Sequence, residues 1–266
     1  MIKGDTDIYG VLGYPVKHSL SPLFQNEAFR YLNINAVYVA FEVKPEHFED
    51  AIRGLKALNV KGINVTLPYK EAILKFANKV SDEVRIISSA NTIKFNEDFV
   101  EAYNTDWKGF LTSLKEHIDP SGKKVLVLGA GGSARAILYA LTKAQSNIYL
   151  WNRTKSKAES LANIFNCTVV DIPEDIVKEV DIIVNTTSVG LSDKDPELFD
   201  YDTIQGYHLV FDIIYKDTKL LKKAKERGAK AVSGIDMLVY QGAESFKIWT
   251  GREPPIKVMK KSLQGI

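Results

Sequence analysis

The stretch Lys124–Arg135, KVLVLGAGGSAR, decides the fold of the central part of the chain. Its apolar run Val125–Leu128 has the length and β-branched content of a buried parallel strand, and it ends in glycine. Gly129, Gly131 and Ala134 then fit the pattern G-x-G-x-x-G/A. In that pattern the first glycine permits a tight turn, the second lets the backbone approach a pyrophosphate, and the small third residue lets the helix pack on the strand. The stretch therefore predicts a strand, a nucleotide-binding turn and a helix that offers its N-terminus to phosphate.

The segments that follow the glycines complete a βαβ unit. Ser133–Ala144 has the apolar spacing of a helix, and Asn147–Trp151 has the composition of a second strand. At the end of that strand an NAD site usually carries an acidic residue, which binds the ribose 2′-hydroxyl. This chain has Asn152, Arg153 and Thr154 there. A guanidinium without a neighbouring acid suits a 2′-phosphate, so we expect NADP rather than NAD; the alternative is that Arg153 is a solvated loop cation.

Length and composition exclude several classes of protein. The 266 residues allow about two domains, and the 45% hydrophobic and 26% charged content is ordinary for a soluble globular protein. Lysine and arginine total 35 against 33 acids, so nothing favours nucleic acid or an anionic membrane as a partner. No signal pattern or membrane-length apolar run is present, and the single cysteine, Cys167, fits a reducing compartment, so we expect a cytoplasmic protein. The four histidines lack ligand spacing, so no metal site is expected.

Strand and helix signals alternate along the rest of the chain. Ahead of the nucleotide fold the pattern predicts strands over Ile8–Leu12, Ala36–Val43 and Ile63–Thr66, helices over Pro22–Leu32 and Pro45–Leu58, and a hairpin that turns at Asn96–Asp98. Later segments predict a helix from Trp107 to about His117, strands over Val180–Thr187 and Leu209–Ile214, helices near Lys219–Arg227 and over Asp236–Trp249, and a last helix after Pro254-Pro255. Two α/β units are therefore expected, with a small-molecule site in a cleft where they meet.

Three polar positions near predicted helix starts are candidates for a binding or catalytic role. Ser21 before Pro22 is a strong N-cap signal, and hydroxyls at such a point also suit a substrate carboxylate. Lys70 is predicted in the first turn of a helix, where a cation opposes the helix dipole, so a role in proton exchange competes with plain solvation. Asp106 suits the N-cap of the helix that follows it, and equally a carboxylate that orients Lys70.

Several separated motifs occur in the order HSLSP, NVTLPYK, SANT, NTD, GAGGSAR and NRT. In this order they closely resemble the shikimate dehydrogenases, and the resemblance covers essentially the whole chain. It implies an α/β fold of two domains: an N-terminal substrate-binding domain, to which the C-terminal helices return, and a Rossmann-type domain that binds NADP. Together with the helix signals it gives boundaries of 1–105 and 239–266 for the first domain and 106–238 for the second.

The resemblance also implies roles for individual residues. It places the catalytic lysine at Lys70 and its aspartate partner at Asp106. It implies substrate contacts at Ser19, Ser21, Thr66, Lys70, Asn91, Asp106, Tyr215 and Gln241. It implies cofactor contacts at Gly129, Ala130, Gly131, Gly132, Ser133, Asn152, Arg153, Thr154, Lys157, Ile213 and Gly234. One departure from the family pattern is Ser88-Ser89-Ala90, where relatives tend to have glycine, alanine and valine; it bears on the packing beside Asn91.

The reaction implied is reduction of 3-dehydroshikimate to shikimate by NADPH, with Lys70 as the proton donor. A carboxylate at Asp106 would favour the ammonium form of that lysine. Two alternatives stay open: a quinate/shikimate dehydrogenase with relaxed substrate or cofactor choice, and a non-catalytic NADP-binding sensor on the same fold. Sequence reasoning leaves the choice between monomer and homodimer open.

Overall fold

The structure is a computed structural model that describes residues 2–264. Contacts between residues divide the chain into two compact units. The first unit contains the residues up to Thr105 together with those from Val239 onward, and the second contains Asp106–Leu238. Each unit is built on its own six-stranded sheet.

The strands and helices alternate along most of the chain. The strands are β1 (Asp7–Gly13), β2 (Ala36–Glu42), β3 (Gly62–Val65), β4 (Lys79–Val80), β5 (Thr92–Phe95), β6 (Val100–Tyr103), β7 (Lys124–Leu128), β8 (Asn147–Trp151), β9 (Thr168–Val169), β10 (Ile182–Asn185), β11 (Leu209–Asp212) and β12 (Lys230–Ser233). The α-helices are α1 (Ser21–Tyr31), α2 (Phe48–Ala57), α3 (Asp82–Ile87), α4 (Asp106–Lys115), α5 (Gly132–Lys143), α6 (Lys155–Phe165), α7 (Glu174–Val177), α8 (Lys219–Glu226), α9 (Ile235–Thr250) and α10 (Ile256–Lys261). Short 3-10 helices cover Pro45–His47, Ala72–Phe76 and Tyr201–Thr203.

The sheet of the first unit has the strand order β2-β1-β3-β5-β6-β4. Strand β1 pairs in parallel with both β2 and β3, whereas β5 is antiparallel to β3 and to β6. The antiparallel β5–β6 pair confirms the hairpin that the sequence predicts around Asn96–Asp98. Because β5 runs against β3, the residues just before β5 lie beside the carboxyl end of β3.

Helix α9 contributes a buried apolar stripe to the first unit. Val239, Ala243, Phe246 and Trp249 recur at helical spacing and are each at most 7% exposed. The centroid of the Phe246 ring lies 5.2 Å from that of the Phe29 ring, so α9 packs against α1. This stripe also sets which side of α9 turns inward, and Gln241 and Ser245 lie on that buried side.

The sheet of the second unit is parallel throughout, in the order β12-β11-β10-β7-β8-β9. Counted within the unit this is the order 3-2-1-4-5-6 of a Rossmann sheet. The predicted βαβ unit is confirmed, since β7, α5 and β8 have almost the expected bounds. Ligands of such sheets bind beyond the carboxyl ends of the strands, on either side of the point where the strand order reverses. Here that point lies between β7 and β10.

Several short elements had no clear sequence signal. Strands β4 and β9 have two residues each, and β12 begins with a lysine in a polar segment. The helix predicted from Pro45 begins instead with a 3-10 turn, and its regular part starts at Phe48. Two residues are too few for periodicity to register, so β4 and β9 form only because they pair with the edges of β6 and β8. Among the described residues, no helix is long and apolar enough to cross a membrane.

The imidazole of His208 is buried in the second unit. Its Nδ1 accepts a hydrogen bond from the backbone N–H of Gln205 at 2.9 Å, and its Nε2 lies 2.9 Å from the carbonyl oxygen of Val177. The ring is therefore neutral and donates from Nε2. Burial lowers the pKa of His208 below its ordinary 6.5, and the bond to the Val177 carbonyl oxygen and, to a smaller degree, the Asp181 carboxylate oppose this.

We expect the free energy of unfolding to fall as pH is lowered below about 6.5, because the unfolded chain then takes up a proton that the folded chain resists. Above that pH the contribution of His208 is present in full. Urea unfolding between pH 8 and pH 5 measures it, and His208→Gln should flatten the slope in this range. The exposed His47 provides the control, since His47→Gln should leave the slope unchanged. Equal slopes in wild type and His208→Gln would contradict the prediction.

Candidate functional site

The loop after β1 places Ser19 and Ser21 at the start of α1. Ser21 was predicted as the N-cap, and that prediction is wrong by one position: Leu20 is the N-cap, without a side-chain cap bond, and Ser21 is the first helical residue. The Ser19 hydroxyl accepts instead from the backbone N–H of Ser21 at 3.3 Å. Because Ser21 does not cap the helix with its side chain, its hydroxyl is available to other partners.

Lys70 follows β3 by five residues, in a turn. The helix predicted to begin there is absent: a 3-10 helix starts only at Ala72, and Lys70 lies before it. The helix-dipole argument for its placement therefore does not hold. What positions the residue is its backbone, since the carbonyl oxygen of Lys70 accepts from the N–H of Ala90 at 2.8 Å. This bond places Lys70 beside the segment that carries Asn91, and the Lys70 side chain is half-buried.

Asn91 and Gln241 come together although about 150 residues separate them. The Asn91 amide donates from Nδ2 to Gln241 Oε1 at 3.1 Å and to Thr105 Oγ1 at 2.9 Å. Its Oδ1 accepts from the backbone N–H of Thr105 at 2.7 Å. With its oxygen towards Asn91, the Gln241 amide turns its Nε2 donor the other way. The pair thus joins the segment just before β5, the residue before Asp106 and helix α9 at one place in the first unit.

The Ser88-Ser89 departure leaves this arrangement intact. Ser88 ends α3 with a φ of 55°, in the left-handed region that favours glycine. Ser89 is completely buried and accepts from Asn104 Nδ2 through its carbonyl oxygen at 3.0 Å. The segment therefore holds Asn104 in place, two residues before Asp106.

Asp106 is the first residue of α4 and is 5% exposed. It directly follows Thr105, whose backbone is bonded to Asn91. A buried carboxylate in a first helical turn is favourably placed relative to the helix dipole. The pairing of Asp106 with Lys70 stays a prediction.

The second unit forms the glycine turn that the sequence predicts. Gly129 directly follows β7 and has a φ of 112°, which only glycine adopts easily, and Gly131 is the N-cap of α5. A Cβ built on Gly131 would meet no atom within 4 Å, so open space lies beside this backbone. Open space at the start of a twelve-residue helix suits the close approach of a phosphate.

The strand end beside this turn carries the residues that would distinguish NADP from NAD. Asn152 ties the two loops together: its Oδ1 accepts from the Ala130 N–H at 3.1 Å, and its Nδ2 donates to the carbonyl oxygen of Thr154 at 2.9 Å. Arg153, Thr154 and Lys157 are exposed. Their cations and hydroxyl, with no acidic residue at the strand end, fit a 2′-phosphate.

Sequence reasoning missed Asp212, the last residue of β11. Its carboxylate is completely buried and accepts from Ile214 N–H at 3.0 Å, Asn185 Nδ2 at 3.1 Å and Thr218 Oγ1 at 2.8 Å. Burial raises its pKa above the ordinary value, and the three donors oppose that rise. The bonds hold the turn that carries Ile213 and Tyr215, both of which the resemblance assigns to the site. An aspartate after an apolar strand was the available signal.

Three further predicted residues, Gly234, Tyr215 and Thr66, lie just beyond the ends of strands. Gly234 follows β12, and its N–H donates to the Ile214 carbonyl oxygen at 3.1 Å, while Tyr215 is 41% exposed. Thr66 follows β3 directly and is partly buried.

Burial raises the pKa of the Cys167 thiol to about 12, so it is a poor nucleophile. Within the described residues no group of three or more histidine, cysteine or acidic side chains is placed to hold a metal ion.

Models of protein families match three parts of the chain. A shikimate dehydrogenase substrate-binding domain matches residues 11–93, a shikimate/quinate 5-dehydrogenase domain matches 113–192, and a shikimate 5′-dehydrogenase C-terminal domain matches 234–264. The first match contains the motifs HSLSP, NVTLPYK and SANT, and the second contains GAGGSAR and NRT.

Individual relatives agree over the full length. The NADP(+) shikimate dehydrogenase of Aquifex aeolicus is 55% identical over 267 residues, which cover 100% of this chain and 99% of the relative. A crystal structure of shikimate dehydrogenase from the same organism has a TM-score of 0.98 and 55% identity over 99% of this chain and 100% of that one. A shikimate 5-dehydrogenase structure from Thermus thermophilus, in complex with NADP(H) and shikimate, has a TM-score of 0.90 and 35% identity, covering 97% and 98% of the two chains.

Proposed function

The chain belongs to the shikimate dehydrogenase family, and on that premise we propose that it catalyses the reversible reduction of 3-dehydroshikimate to shikimate by NADPH. The observation that carries the proposal is the agreement with NADP(+) shikimate dehydrogenases over the full chain. The activity belongs to chorismate and aromatic amino acid biosynthesis. The chain has a single cysteine and so no internal disulfide, which supports a reducing compartment, the cytoplasm.

The residues at the glycine turn would hold NADP. Gly129–Ser133 would receive the pyrophosphate at the start of α5, where the open space beside Gly131 leaves room for it. Asn152, Arg153, Thr154 and Lys157 would bind the adenosine ribose and its 2′-phosphate. Ile213 and Gly234 would lie near the nicotinamide, on loops that the buried Asp212 supports. When bound, NADPH supplies the hydride.

The substrate would be bound mainly by neutral hydroxyls and amides. Ser19, Ser21, Thr66, Asn91, Tyr215 and Gln241 are the proposed contacts, with Lys70 and Asp106 at the reacting oxygen. Such groups suit a small ring acid with several hydroxyls. A site of this kind discriminates strongly, because an analogue that lacks one hydroxyl leaves a buried polar group unpaired.

The chain's own part in the chemistry is to move one proton. As the ketone carbon is reduced, its oxygen gains charge, and the Lys70 ammonium donates a proton from Nζ to that oxygen. In the direction of shikimate oxidation, neutral Lys70 takes the proton from the hydroxyl. Asp106 would hold the ammonium in place and stabilise its charge.

The direct test is the absorbance of NADPH when purified protein is mixed with NADP+ or NAD+ and with shikimate or quinate. We expect a rise with NADP+ and shikimate, and little with the other three mixtures. Comparable rates with quinate or NAD+ would favour the dehydrogenase of relaxed specificity. The family that matches residues 113–192 includes both shikimate and quinate dehydrogenases. A flat trace in all four mixtures, from protein that still binds NADPH, would favour the sensor.

Replacing Arg153 tests the choice of cofactor. We expect Arg153→Ala to raise KM for NADPH by about tenfold, since it removes a charge-assisted contact to the 2′-phosphate, and to leave KM for NADH unchanged. Initial rates with both cofactors measure the two constants. Lys143→Ala, which removes an exposed cation at the other end of α5, is the matched control and should change neither. Equal effects on NADPH and NADH would count against a 2′-phosphate contact.

A further inference from the structure

A connected set of buried polar side chains lies behind the proposed substrate contacts of the first unit. Its members are Tyr38, Asn64, Thr92, Thr105 and Ser245, each at most 5% exposed. The Tyr38 hydroxyl donates to Asn64 Oδ1 at 2.8 Å, and Asn64 is in turn bonded to Ser245. The set therefore reaches from Tyr38 on β2 to the turn of α9 that carries Gln241.

Ser245 is the point at which this set converges. Its hydroxyl oxygen lies 2.9 Å from Asn64 Nδ2, 2.7 Å from Thr92 Oγ1 and 3.1 Å from Thr105 Oγ1. The same hydroxyl donates to the carbonyl oxygen of Gln241, one helical turn earlier, at 3.0 Å. A hydroxyl has one proton and two lone pairs, so it can make three of these four hydrogen bonds at a time, and its whole capacity is used. Ser245 is completely buried and has no surface on which to meet a ligand.

These contacts join the helical turn that carries Gln241 to Asn64 on β3, to Thr92 on β5 beside Asn91, and to Thr105. The three partners outside α9 are 140 to 181 residues away in sequence, so no local preference of the helix would create this arrangement. A serine in the middle of a helix commonly donates to the carbonyl oxygen four residues back, and that bond alone does not fix the position of the helix relative to other elements. Here the additional three contacts give the hydroxyl a tertiary role.

We propose that Ser245 is a positioning residue for the substrate site, whose hydroxyl sets the distance and orientation between the amides of Asn91 and Gln241. The inference rests on the proposed function. Without the hydroxyl, three side chains lose a shared hydrogen-bond partner: Asn64, Thr92 and Thr105. The helical turn that carries Gln241 then lacks the hydrogen bonds that Ser245 makes to other elements, so the Gln241 amide is less firmly positioned. Substrate affinity then falls, because a contact misplaced by a fraction of an ångström loses hydrogen-bond energy.

The first measurement compares Ser245→Ala with wild type for KM of shikimate, KM of NADP+, kcat and melting temperature. We expect KM for shikimate to rise about tenfold, as for the loss of one to two net hydrogen bonds, with KM for NADP+ unchanged. Ser245→Thr keeps the hydroxyl and should restore KM to within about threefold of wild type. Ser113→Ala is the control, because the Ser113 hydroxyl is also buried, on α4, and has no hydrogen-bond partner among the described residues. It should change none of the constants.

A double-mutant cycle tests whether Ser245 acts through Gln241. In a Gln241→Ala background, the further change Ser245→Ala should raise KM for shikimate much less than it does in wild type. Additive effects, or a lowered melting temperature with an unchanged KM, would overturn the proposal and leave Ser245 a structural residue only. If Ser245→Ala does not fold, Thr92→Val removes the partner with the shortest contact and decides the question by the same constants. Absence of shikimate turnover in wild type itself would refute the proposed function instead.

Discussion

Replacing Lys70 by alanine is expected to lower kcat by about 100-fold or more, while KM for shikimate changes by only a few fold. The reason is that Lys70 is the only ammonium group among the proposed substrate contacts, so its loss removes the proposed proton donor for the new hydroxyl. The hydroxyls and amides that bind the ring remain. Initial rates in both directions, over a range of shikimate and NADP+ concentrations, measure the two constants.

Two further variants separate proton transfer from charge. Lys70→Arg keeps a cation but cannot release a proton at neutral pH, so it should stay as slow as the alanine variant in the direction of shikimate oxidation. Lys75→Ala is the matched control, because Lys75 lies five residues further on, is about half-exposed and forms an ion pair with Glu49 on the surface. It should keep the wild-type kcat. An unchanged kcat in Lys70→Ala would refute the assignment of Lys70, and full activity of Lys70→Arg would reduce its role to electrostatics.

The second large effect is expected at the glycine turn, where replacing Gly129 by alanine should lower stability and replacing Gly131 should weaken NADPH binding. A Cβ on Gly129 would lie 2.6 Å from Thr186 Oγ1 and 2.9 Å from Thr187 Cγ2, on a backbone with a φ of 112°. Both the unfavourable backbone and the overpacking act on the folded state, and together they amount to a loss of about 2–5 kcal/mol. Gly129→Ala should therefore unfold at markedly lower urea concentration than wild type.

Gly131→Ala is its matched partner. The added methyl meets no protein atom within 4 Å, and the N-cap φ of −94° is accessible to alanine. We expect the free energy of unfolding to change by less than about 1 kcal/mol, in the range of a substitution at an N-cap without a steric clash. NADPH binding should weaken by about tenfold or more, since the methyl occupies the space that the pyrophosphate approaches. Urea unfolding and NADPH fluorescence titration separate the two outcomes; normal NADPH affinity in Gly131→Ala would contradict this placement of the phosphates.

The central nucleotide fold was determined by the sequence alone. An apolar run of strand length, glycines at fixed offsets and a helix with a small residue facing the strand are all local patterns, and each has a local physical cause. The order of the separated motifs then identified the family over the whole length, and the strand bounds at Lys124–Leu128 and Asn147–Trp151 agree with the expectation.

Expectations that depended on a single position were less accurate. Ser21 is the first helical residue and not the N-cap, and Lys70 lies in a turn where a helix was expected. Helix starts are decided by one or two backbone angles, so a motif that places the helix correctly can still misplace its first residue.

Only the tertiary structure decided which buried polar side chains lie behind the residues proposed to contact the ligands. Asp212 receives donors from two other segments, and Ser245 meets partners that lie 140 to 181 residues away in sequence. Periodicity reports which face of an element is buried, but a hydroxyl or carboxylate on that face looks the same whether its partners are one turn or 150 residues away. Their identity follows from sheet order and helix packing, because buried polar groups must find partners among whatever elements the fold brings within hydrogen-bond distance.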